Sequence, residues 1–412
     1  MSRYFTFQNL AILTFLGGLL IAYIANRSIA KSLKLILYFA PISILFIGKT
    51  GSSVIAILVI ILSFGVVFNS NGNFQHPSFM VLFWFAITVI LLLSSVSSTV
   101  PQQIWFLTSW ASGVLASYVI TTDSNFQDFD VLTYVSNTAL VISCTSLLFL
   151  LPPLSVISTN LGFSYVNEWG FQRFRGTTGD YELTAEILVL GFIATSAITY
   201  KSLSFHILKL SSIAIVLVLT GTRAALLAPV GVALYLFVKK QKSGLLRSSL
   251  VLLVPMGLAI FFLGSTLISR YQTQTSSGLT NKLNRSSVWT LYDNLAITPE
   301  MLGHGPNYPF LTYGFYPHSL VRSLLYIGGW LALAVFVLGL TYLYAVLLRN
   351  IKREESNFTA MKIILLTVFL IDQFKVEFTR TGGYVLFISI FLTLLSQNHS
   401  QMSMKNGARL RR

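Results

Sequence analysis

The chain has 412 residues, of which 54% are hydrophobic and only 10% are charged. An ordinary soluble domain carries about 25% charged residues, so this deficit excludes the soluble globular class and predicts a polytopic membrane protein. The formal net charge is +15, but the basic residues are scattered over short loops and the C-terminal tail. That pattern is typical of contact between a cytoplasmic face and anionic lipids, and we expect membrane lipids and no nucleic acid as partners.

Metal and disulfide chemistry also find little support in the composition. Cys144 is the single cysteine, and the five histidines show neither HxH nor HExxH spacing. A disulfide within one chain needs two cysteines, and zinc sites need clustered ligands. We therefore predict no metal and no cofactor.

Apolar stretches long enough to cross the hydrocarbon core of a bilayer recur along the whole chain. The first one ends in IANRSIAKS and is followed directly by another, so we interpret it as an uncleaved first span. Hydropathy predicts thirteen spans, or twelve if one early segment around KTGSS is re-entrant. They lie at residues 8–25, 34–48, 52–68, 79–98, 104–121, 131–152, 183–200, 204–221, 224–238, 249–268, 323–348, 358–374 and 382–397.

The predicted fold class is all-α: a polytopic integral membrane protein with about 12–13 transmembrane helices and one large exoplasmic loop. We see neither an internal repeat nor a separate soluble domain, so residues 1–412 are interpreted as a single membrane domain. The loops RNIKREES and KKQKSGLLR and the tail KNGARLRR are strongly basic, which predicts that they are cytoplasmic. Working back from them, the loop 269–322, Arg223 and the segment 153–182 lie on the exoplasmic face. The choice between twelve and thirteen spans changes only the side of the N-terminus.

The exoplasmic segment 153–182 carries two arginines in the stretch QRFRGTTGDYELTAEI. Arg173 and Arg175 precede a Gly-Thr-Thr-Gly turn and the start of a span. Glycine lets the backbone approach a ligand closely, and a helix N-terminus offers free N–H groups to an anion. Asp180 and Glu182 either cap that helix or hold the arginines in place. The alternative is that both arginines contact lipid phosphates at the interface.

Arg223 interrupts two apolar runs in TGTRAALL with almost no loop around it. A charge near membrane depth costs several kcal/mol when it is unpaired, so such a residue is usually kept for a partner. The alternative is an arginine whose head group snorkels to the interface.

The loop 269–322 adds Arg270, Lys282 and Arg285 to the basic groups on this face. Residues 285–302 have helical spacing, with an apolar stripe that predicts a helix lying on the membrane surface. GHGPN is a turn-forming hinge, in which His304 is interpreted as a turn residue rather than a ligand.

His318 follows and opens the next span, whose GGW (Gly328, Gly329) predicts close helix packing. A later segment, IDQFKVEFTR, places Asp372, Lys375, Glu377 and Arg380 at the exoplasmic end of a span. That group is either an internal set of ion pairs or a substrate contact.

Four elements together resemble the O-antigen ligase and O-antigen polymerase superfamily of bacterial envelope glycan enzymes. They are Arg-x-x-Gly from Arg173, Thr-x-Thr-Arg-Ala-x-Leu at Arg223, Arg-x-x-x-Trp from Arg285 followed by Gly-x-Gly, and His318-Ser followed by Gly-Gly. The O-antigen ligase-like region covers residues 165–345. One departure is that Arg-x-x-Gly is often followed by Pro-Asn in this superfamily, whereas here Gly-Asp-Tyr-Glu follows.

The resemblance implies a metal-independent, inverting glycosyltransferase in the bacterial inner membrane with its active site on the periplasmic face. Such enzymes move a glycan from undecaprenyl diphosphate to an acceptor sugar, which is lipid A–core for a ligase and the growing chain for a polymerase. By resemblance, Arg173, Arg223 and Arg285 bind the diphosphate, and His318 is the catalytic general base or orienting group for the acceptor hydroxyl. We add Arg175 to the binding set, with Asp180, Glu182, Arg270 and Lys282 as supporting residues.

The His-Ser and Gly-Gly element slightly favours the ligase over the polymerase. The competing class is a flippase for lipid-linked oligosaccharides. A flippase is expected to have charges lining a central cavity in several spans, together with repeats. Here the polar residues concentrate at one face and no repeat is visible, which favours the enzyme. A structural membrane subunit would leave Arg223 unexplained.

Overall fold

The structure is a computed structural model that is mostly helical. Its description covers residues 28–42, 46–47, 52–69, 76–95, 102–152, 154–155, 165–168, 171–198, 202–222, 225, 227–239, 290, 292, 301–305, 319–351, 356–373 and 382–397.

This described part of the chain contains eleven α-helices and two short antiparallel strand pairs. The helices are α1 (Ile29–Leu37), α2 (Val54–Asn69), α3 (Phe79–Ser95), α4 (Gln102–Thr122), α5 (Val131–Leu148), α6 (Tyr181–Ala197), α7 (Leu203–Leu219), α8 (Leu227–Lys239), α9 (Leu320–Ile351), α10 (Ser356–Gln373) and α11 (Gly382–Ser396). The strand pairs are β1 (Phe46–Ile47) with β2 (Ser52–Ser53) and β3 (Tyr165–Glu168) with β4 (Phe171–Phe174).

Ten of the thirteen predicted spans coincide with a helix to within a few residues. The predicted spans 8–25 and 249–268 lie outside the described residues. Two helices, Val131–Leu148 and Leu320–Ile351, are long and apolar enough to cross a membrane, among the residues that could be searched. Five shorter helices in the same part of the chain are also apolar.

The predicted span 34–48 is wrong as a continuous helix. Helix α1 ends at Leu37, and the chain tightens into a turn in which Phe39 N donates to Ile36 O at 2.9 Å and Ala40 N to Leu37 O at 3.2 Å. Pro41 follows, and proline has no N–H and disfavours helical backbone in the residue before it. A proline within an apolar run therefore ends this helix early.

The chain divides into two compact units, and the first comprises Met1–Val131, Leu295–Ser356 and Glu377–Arg412. Within it, α11 packs against α4, where the side chain of Thr393 donates to Ser117 Oγ at 2.8 Å. Helix α9 packs against α3 at Gly339, where a Cβ atom would lie 2.3 Å from the ring of Phe83. The absence of a side chain at this glycine is therefore what lets the two helices approach.

The second unit comprises Leu132–Asn294 and Asn357–Val376, and α6 is its most deeply buried helix. Every residue of α6 from Glu182 to Thr195 is buried. Glycines permit the close packing around it: a Cβ atom at Gly191 would lie 2.0 Å from Ala139 Cβ on α5, and one at Gly231 on α8 would lie 2.4 Å from Ile193. Helix α6 is therefore the core on which the arginine-bearing segment sits.

Candidate functional site

The described residues include four of the predicted site residues: Arg173, Arg175, Asp180 and Glu182. The other predicted site residues lie outside the described part of the chain: His318, Arg223, Arg285, Arg270 and Lys282. Lys375, Glu377 and Arg380 from the later polar segment also lie outside it.

A β-hairpin holds the arginine pair. In its register Arg173 pairs with Val166 and Phe174 pairs with Tyr165. Phe174 is fully buried and its ring lies 5.4 Å from the ring of Tyr165, and burial raises the pKa of the Tyr165 phenol. Successive side chains in a strand point to opposite faces, so an anchored Phe174 directs Arg173 to the other face.

Arg173 is half-buried, and its guanidinium lies over the ring of Tyr181, 4.7 Å from the ring centroid. Tyr181 is the first residue of α6. A guanidinium stacked on an aromatic face gains cation–π stabilisation and retains N–H groups at its edge. The contact therefore fixes the charge of Arg173 at the start of α6.

The turn after the arginines depends on Gly176, whose φ is 66°. A Cβ atom here would lie 2.8 Å from Thr184 Oγ1 and 3.2 Å from Ser146 Oγ. A non-glycine residue would meet both the backbone strain of a positive φ and this crowding. The predicted close approach of the glycine backbone thus exists, but it is made to the protein's own helices α5 and α6.

Hydroxyl groups fasten the turn to the end of α5. Thr177 N donates to Ser146 Oγ at 3.2 Å, and the hydroxyls of Thr177 and Thr145 lie 3.0 Å apart. Gly179 N donates to Gly176 O at 3.1 Å, which closes the turn itself. The Gly-Thr-Thr-Gly sequence is therefore a rigid connection between the hairpin and α6.

Asp180 caps α6, as one of the two predictions for it stated. Its Oδ1 atom accepts hydrogen bonds from Glu182 N at 2.8 Å and Leu183 N at 3.3 Å. A carboxylate that caps a helix takes N–H groups that have no partner within the helix. Asp180 thus occupies the N–H groups of Glu182 and Leu183, and the prediction that this helix N-terminus binds an anion stays a prediction. Glu182, in the same turn, is buried.

The second unit also buries charged residues that the sequence analysis missed. Glu186 lies one turn further along α6 than Glu182, with 1% of its surface exposed, and Gln373 Nε2 of α10 donates to its Oε1 at 2.6 Å. Asp372, next to Gln373, is buried as well. The sequence placed Asp372 in a group that is either an internal set of ion pairs or a substrate contact.

Lys209 of α7 is likewise buried, at 2% exposure, and its Nζ donates to Asn137 Oδ1 of α5 at 2.9 Å. Lys362 of α10 is buried with its Nζ 5.0 Å from the ring centroid of Phe358. These charges are buried within helices, and the expectation that the polar residues concentrate at one membrane face stays a prediction. The signal that could have revealed them is a single charge inside an apolar span, as in LTAEILVL and HILKLSS.

In the first unit, α9 is broken at Gly329, where φ is 69° and ψ is −168°. In an unbroken α-helix the carbonyls of Tyr326 and Ile327 would accept from the N–H groups four residues later. Here His304 N donates to Tyr326 O at 2.8 Å and Gly305 N to Ile327 O at 2.9 Å. Backbone N–H groups of the loop thus take the place of N–H groups of the helix as hydrogen-bond donors to these two carbonyls.

Two further contacts complete this arrangement, which we name the helix splice (residues 301–305 with 326–331). Leu331 N donates to Met301 O at 3.3 Å, and the ring of His304 lies 4.8 Å from that of Tyr326. A Cβ atom at Gly303 would lie 2.4 Å from Tyr326 O and 2.5 Å from Gly328 N. His304 lies in a bend, in agreement with its interpretation as a turn residue.

The two glycines of GGW have different roles. Gly328 packs closely, since a Cβ atom there would lie 3.2 Å from Leu91 Cδ2 of α3, as the prediction of helix packing stated. Gly329 instead breaks the helix, which was not predicted. Among the residues that the structure describes, no three His, Cys, Asp or Glu side chains gather where a metal ion could be held.

Comparison of the sequence with models of protein families gives no match, and comparison with curated proteins gives none either. The family resemblance therefore depends on the four sequence elements and their order. The structure describes parts of all four: the Arg-x-x-Gly turn, residues 220–222 and 225 of the second element, the Gly-x-Gly segment and the Gly-Gly pair.

Proposed function

We propose that this chain is an integral membrane glycosyltransferase. It moves an oligosaccharide or polysaccharide from undecaprenyl diphosphate to an acceptor sugar, with the ligase type slightly preferred over the repeat-unit polymerase. The observation that carries the proposal is the helix splice. Two elements of the resemblance that stand apart in the sequence, Gly303-x-Gly305 and Gly328-Gly329, contact each other through their backbones. These two elements of the resemblance therefore belong to one connected piece of structure.

The membrane part of the proposal is supported by apolar side chains that face outwards. Helices α2, α3 and α9 each expose several large apolar residues along their length. Among them are Ile61, Phe68, Leu82, Phe85, Trp330, Val337 and Leu338. Exposing such apolar patches to water costs free energy in a soluble monomer, whereas lipid tails cover them without that cost.

The chemistry requires stabilisation of a departing diphosphate. The acceptor oxygen attacks the anomeric carbon, the bond from that carbon to the diphosphate oxygen breaks, and the electron pair leaves with undecaprenyl diphosphate. Fixed guanidinium groups suit this anion because they form bidentate hydrogen bonds and retain their charge. Arg173 and Arg175 on the hairpin, together with Arg223 and Arg285, are assigned to this role.

The acceptor hydroxyl must also lose its proton. An imidazole titrates near neutral pH, so a ring nitrogen of His318 suits removal of that proton as the new glycosidic bond forms. Direct displacement inverts the anomeric centre and needs no covalent glycosyl-enzyme intermediate. Neither a metal nor a cofactor enters this scheme.

The test uses full-length protein in vesicles and a lipid-linked glycan extracted from a host strain that lacks the gene. His318→Ala and Arg223→Ala should each abolish transfer to the acceptor, while the amount of protein in the membrane stays normal. Retained transfer in both variants would overturn the assignment. In cells, loss of a ligase leaves unattached lipid-linked polymer, whereas loss of a polymerase leaves single repeat units.

The buried charges of the second unit favour one alternative, a flippase for lipid-linked oligosaccharides. Glu186, Lys209 and Asp372 are buried on three different helices, and ionisable residues inside membrane spans often mark transport pathways. A strain that lacks the gene decides between the two functions. If the chain is a transferase, the lipid-linked glycan still reaches the outer leaflet, where a membrane-impermeant glycosidase digests it. If the chain is a flippase, the glycan stays protected.

A further inference from the structure

The helix splice and the start of α9 flank the segment 306–318 in the sequence, which contains His318 and lies outside the described residues. At one end, Gly305 N donates to Ile327 O at 2.9 Å. At the other end, Ser319 is buried and its carbonyl accepts from Ser323 N at 2.9 Å, so it belongs to the start of α9. Ser319 and Ile327 are separated by about 12 Å along the helix axis at the usual rise per residue. Gly305 and Ser319, which precede and follow that segment, are therefore both joined to the same short piece of helix.

We propose that Gly303 is a positioning residue: through the helix splice it holds the start of α9, which follows His318 directly in the sequence. This inference rests on the proposed function, in which His318 accepts the proton of the acceptor hydroxyl. Gly303 itself contacts the backbone of residues 326–328 and is not assigned any contact with substrate.

The steric situation at Gly303 explains why this residue controls the splice. The atoms nearest to a Cβ at this position are Tyr326 O, Gly328 N and the carbonyl carbon of Ile327, at 2.4–2.5 Å. All of them are backbone atoms of α9, so no rotamer change can make room. A methyl group here must therefore push residues 303–305 away from α9 and lengthen the two hydrogen bonds from His304 and Gly305.

The start of α9 should respond to that displacement. With residues 304 and 305 withdrawn, the carbonyls of Tyr326 and Ile327 need other donors, and the nearest candidates are the helical partners beyond Gly329. Re-forming those bonds changes the direction of residues 319–328 relative to the rest of α9. Displacement of a catalytic group by about 1 Å is enough to lower a rate about 100-fold.

The kinetic test compares Gly303→Ala with Leu302→Ala, a neighbouring residue with 37% of its surface exposed. Gly303→Ala should lower kcat for glycan transfer about 100-fold with little change in KM for the lipid-linked donor, as expected for a displaced base. Leu302→Ala should resemble the wild type. An unchanged kcat in Gly303→Ala, or an equal loss in Leu302→Ala, would overturn the proposal.

A second measurement does not depend on glycan transfer. In a Cys144→Ser background, Ser319→Cys places a thiol at the buried start of α9. Gly303→Ala should raise its rate of labelling by a membrane-impermeant maleimide at least 10-fold, and Leu302→Ala should leave the rate unchanged. An unchanged labelling rate in Gly303→Ala would overturn the positioning role of Gly303 even if the protein transfers glycan. If the labelling rate rises but the wild-type chain has no transferase activity, the proposed function is overturned, whereas the structural role of Gly303 in the helix splice stands.

Gly329→Ala serves as a second variant if Gly303→Ala does not accumulate. The backbone angles of Gly329 lie in a region that is essentially restricted to glycine. Alanine there should favour a continuous helix and should expose the thiol at position 319 in the same way. A buried thiol in Gly329→Ala would count against the proposal.

Discussion

The hydroxyl of Thr184 donates a hydrogen bond to the carbonyl of Arg175 at 2.7 Å. This bond joins the residue that follows β4 to the first turn of α6, next to Gly176. The same hydroxyl lies 2.6 Å from that of Thr178. One threonine side chain thus ties together the strand, the turn and the helix, and the geometry of the arginine pair depends on it.

Gly176→Ala should destabilise the protein. Its positive φ costs about 1–3 kcal/mol for a residue with a side chain, and the added methyl group also crowds Thr184. Thermal unfolding of the purified protein in detergent should therefore show a lower midpoint. Gly65→Ala is the matched control, because the methyl group there meets only the side chain of Ile29 at 3.3 Å. Equal midpoints for the two variants would contradict the structure of the turn.

Arg173→Lys should weaken donor binding although it keeps the charge. Lysine cannot form the bidentate contacts of a guanidinium and stacks less well on Tyr181. We expect KM for the lipid-linked donor to rise about 10-fold, and more in Arg173→Ala, as for the loss of one charged hydrogen bond. Steady-state kinetics in proteoliposomes measure this.

Arg349→Ala is the control for that series, since Arg349 is exposed in the last turn of α9. It removes one positive charge from a part of the chain that is predicted to be cytoplasmic. A similar rise in KM in this variant would show that net charge, rather than the hairpin site, governs donor binding.

Asp180 should act on stability rather than on catalysis. Asp180→Ala removes the cap of α6 and should cost about 1 kcal/mol, whereas Asp180→Asn keeps an acceptor oxygen and should cost much less. Both variants should retain glycan transfer at temperatures where they are folded. Loss of transfer in a stable Asp180→Asn protein would instead assign this carboxylate a role at the substrate.

The predicted topology can be tested by thiol labelling in a Cys144→Ser background. Ser276→Cys in the loop 269–322 should react with an impermeant maleimide in intact cells. Ser243→Cys in the basic loop KKQKSGLLR should react only after the cells are opened. Labelling of both positions from the same side would refute the assigned orientation.

Hydropathy alone predicted most of the helices, because runs such as those of α2 and α3 carry no charged residue and are apolar over almost their whole length. The early span 34–48 was misjudged because averaging over a window hides the effect of a single Pro41. Asp180 was recognised as a helix cap because capping depends only on residues nearby in the sequence. Local rules are sufficient for features of this kind.

Features that join distant residues were not accessible in this way. The replacement of helical hydrogen bonds in α9 by His304 and Gly305 requires knowing that two separate glycine motifs meet. The partners of Glu186 and Lys209 lie on other helices, at Gln373 and Asn137. Each charge stands alone in its own apolar run, so the sequence gives no indication of what accompanies it.

The break at Gly329 has a consequence for where the helix meets the bilayer. The stretch 330–351 has a length of about 33 Å, close to the thickness of the hydrocarbon core, and it ends beside the basic loop at Arg349. If residues 330–351 cross the bilayer, as the proposed function requires, residues 320–328 extend about 13 Å beyond the hydrocarbon. In that arrangement the length of residues 330–351, set against the bilayer thickness, determines the height of residues 320–328. Bilayers of different thickness should raise or lower the start of α9 relative to the plane in which a polyprenyl diphosphate carries its phosphates.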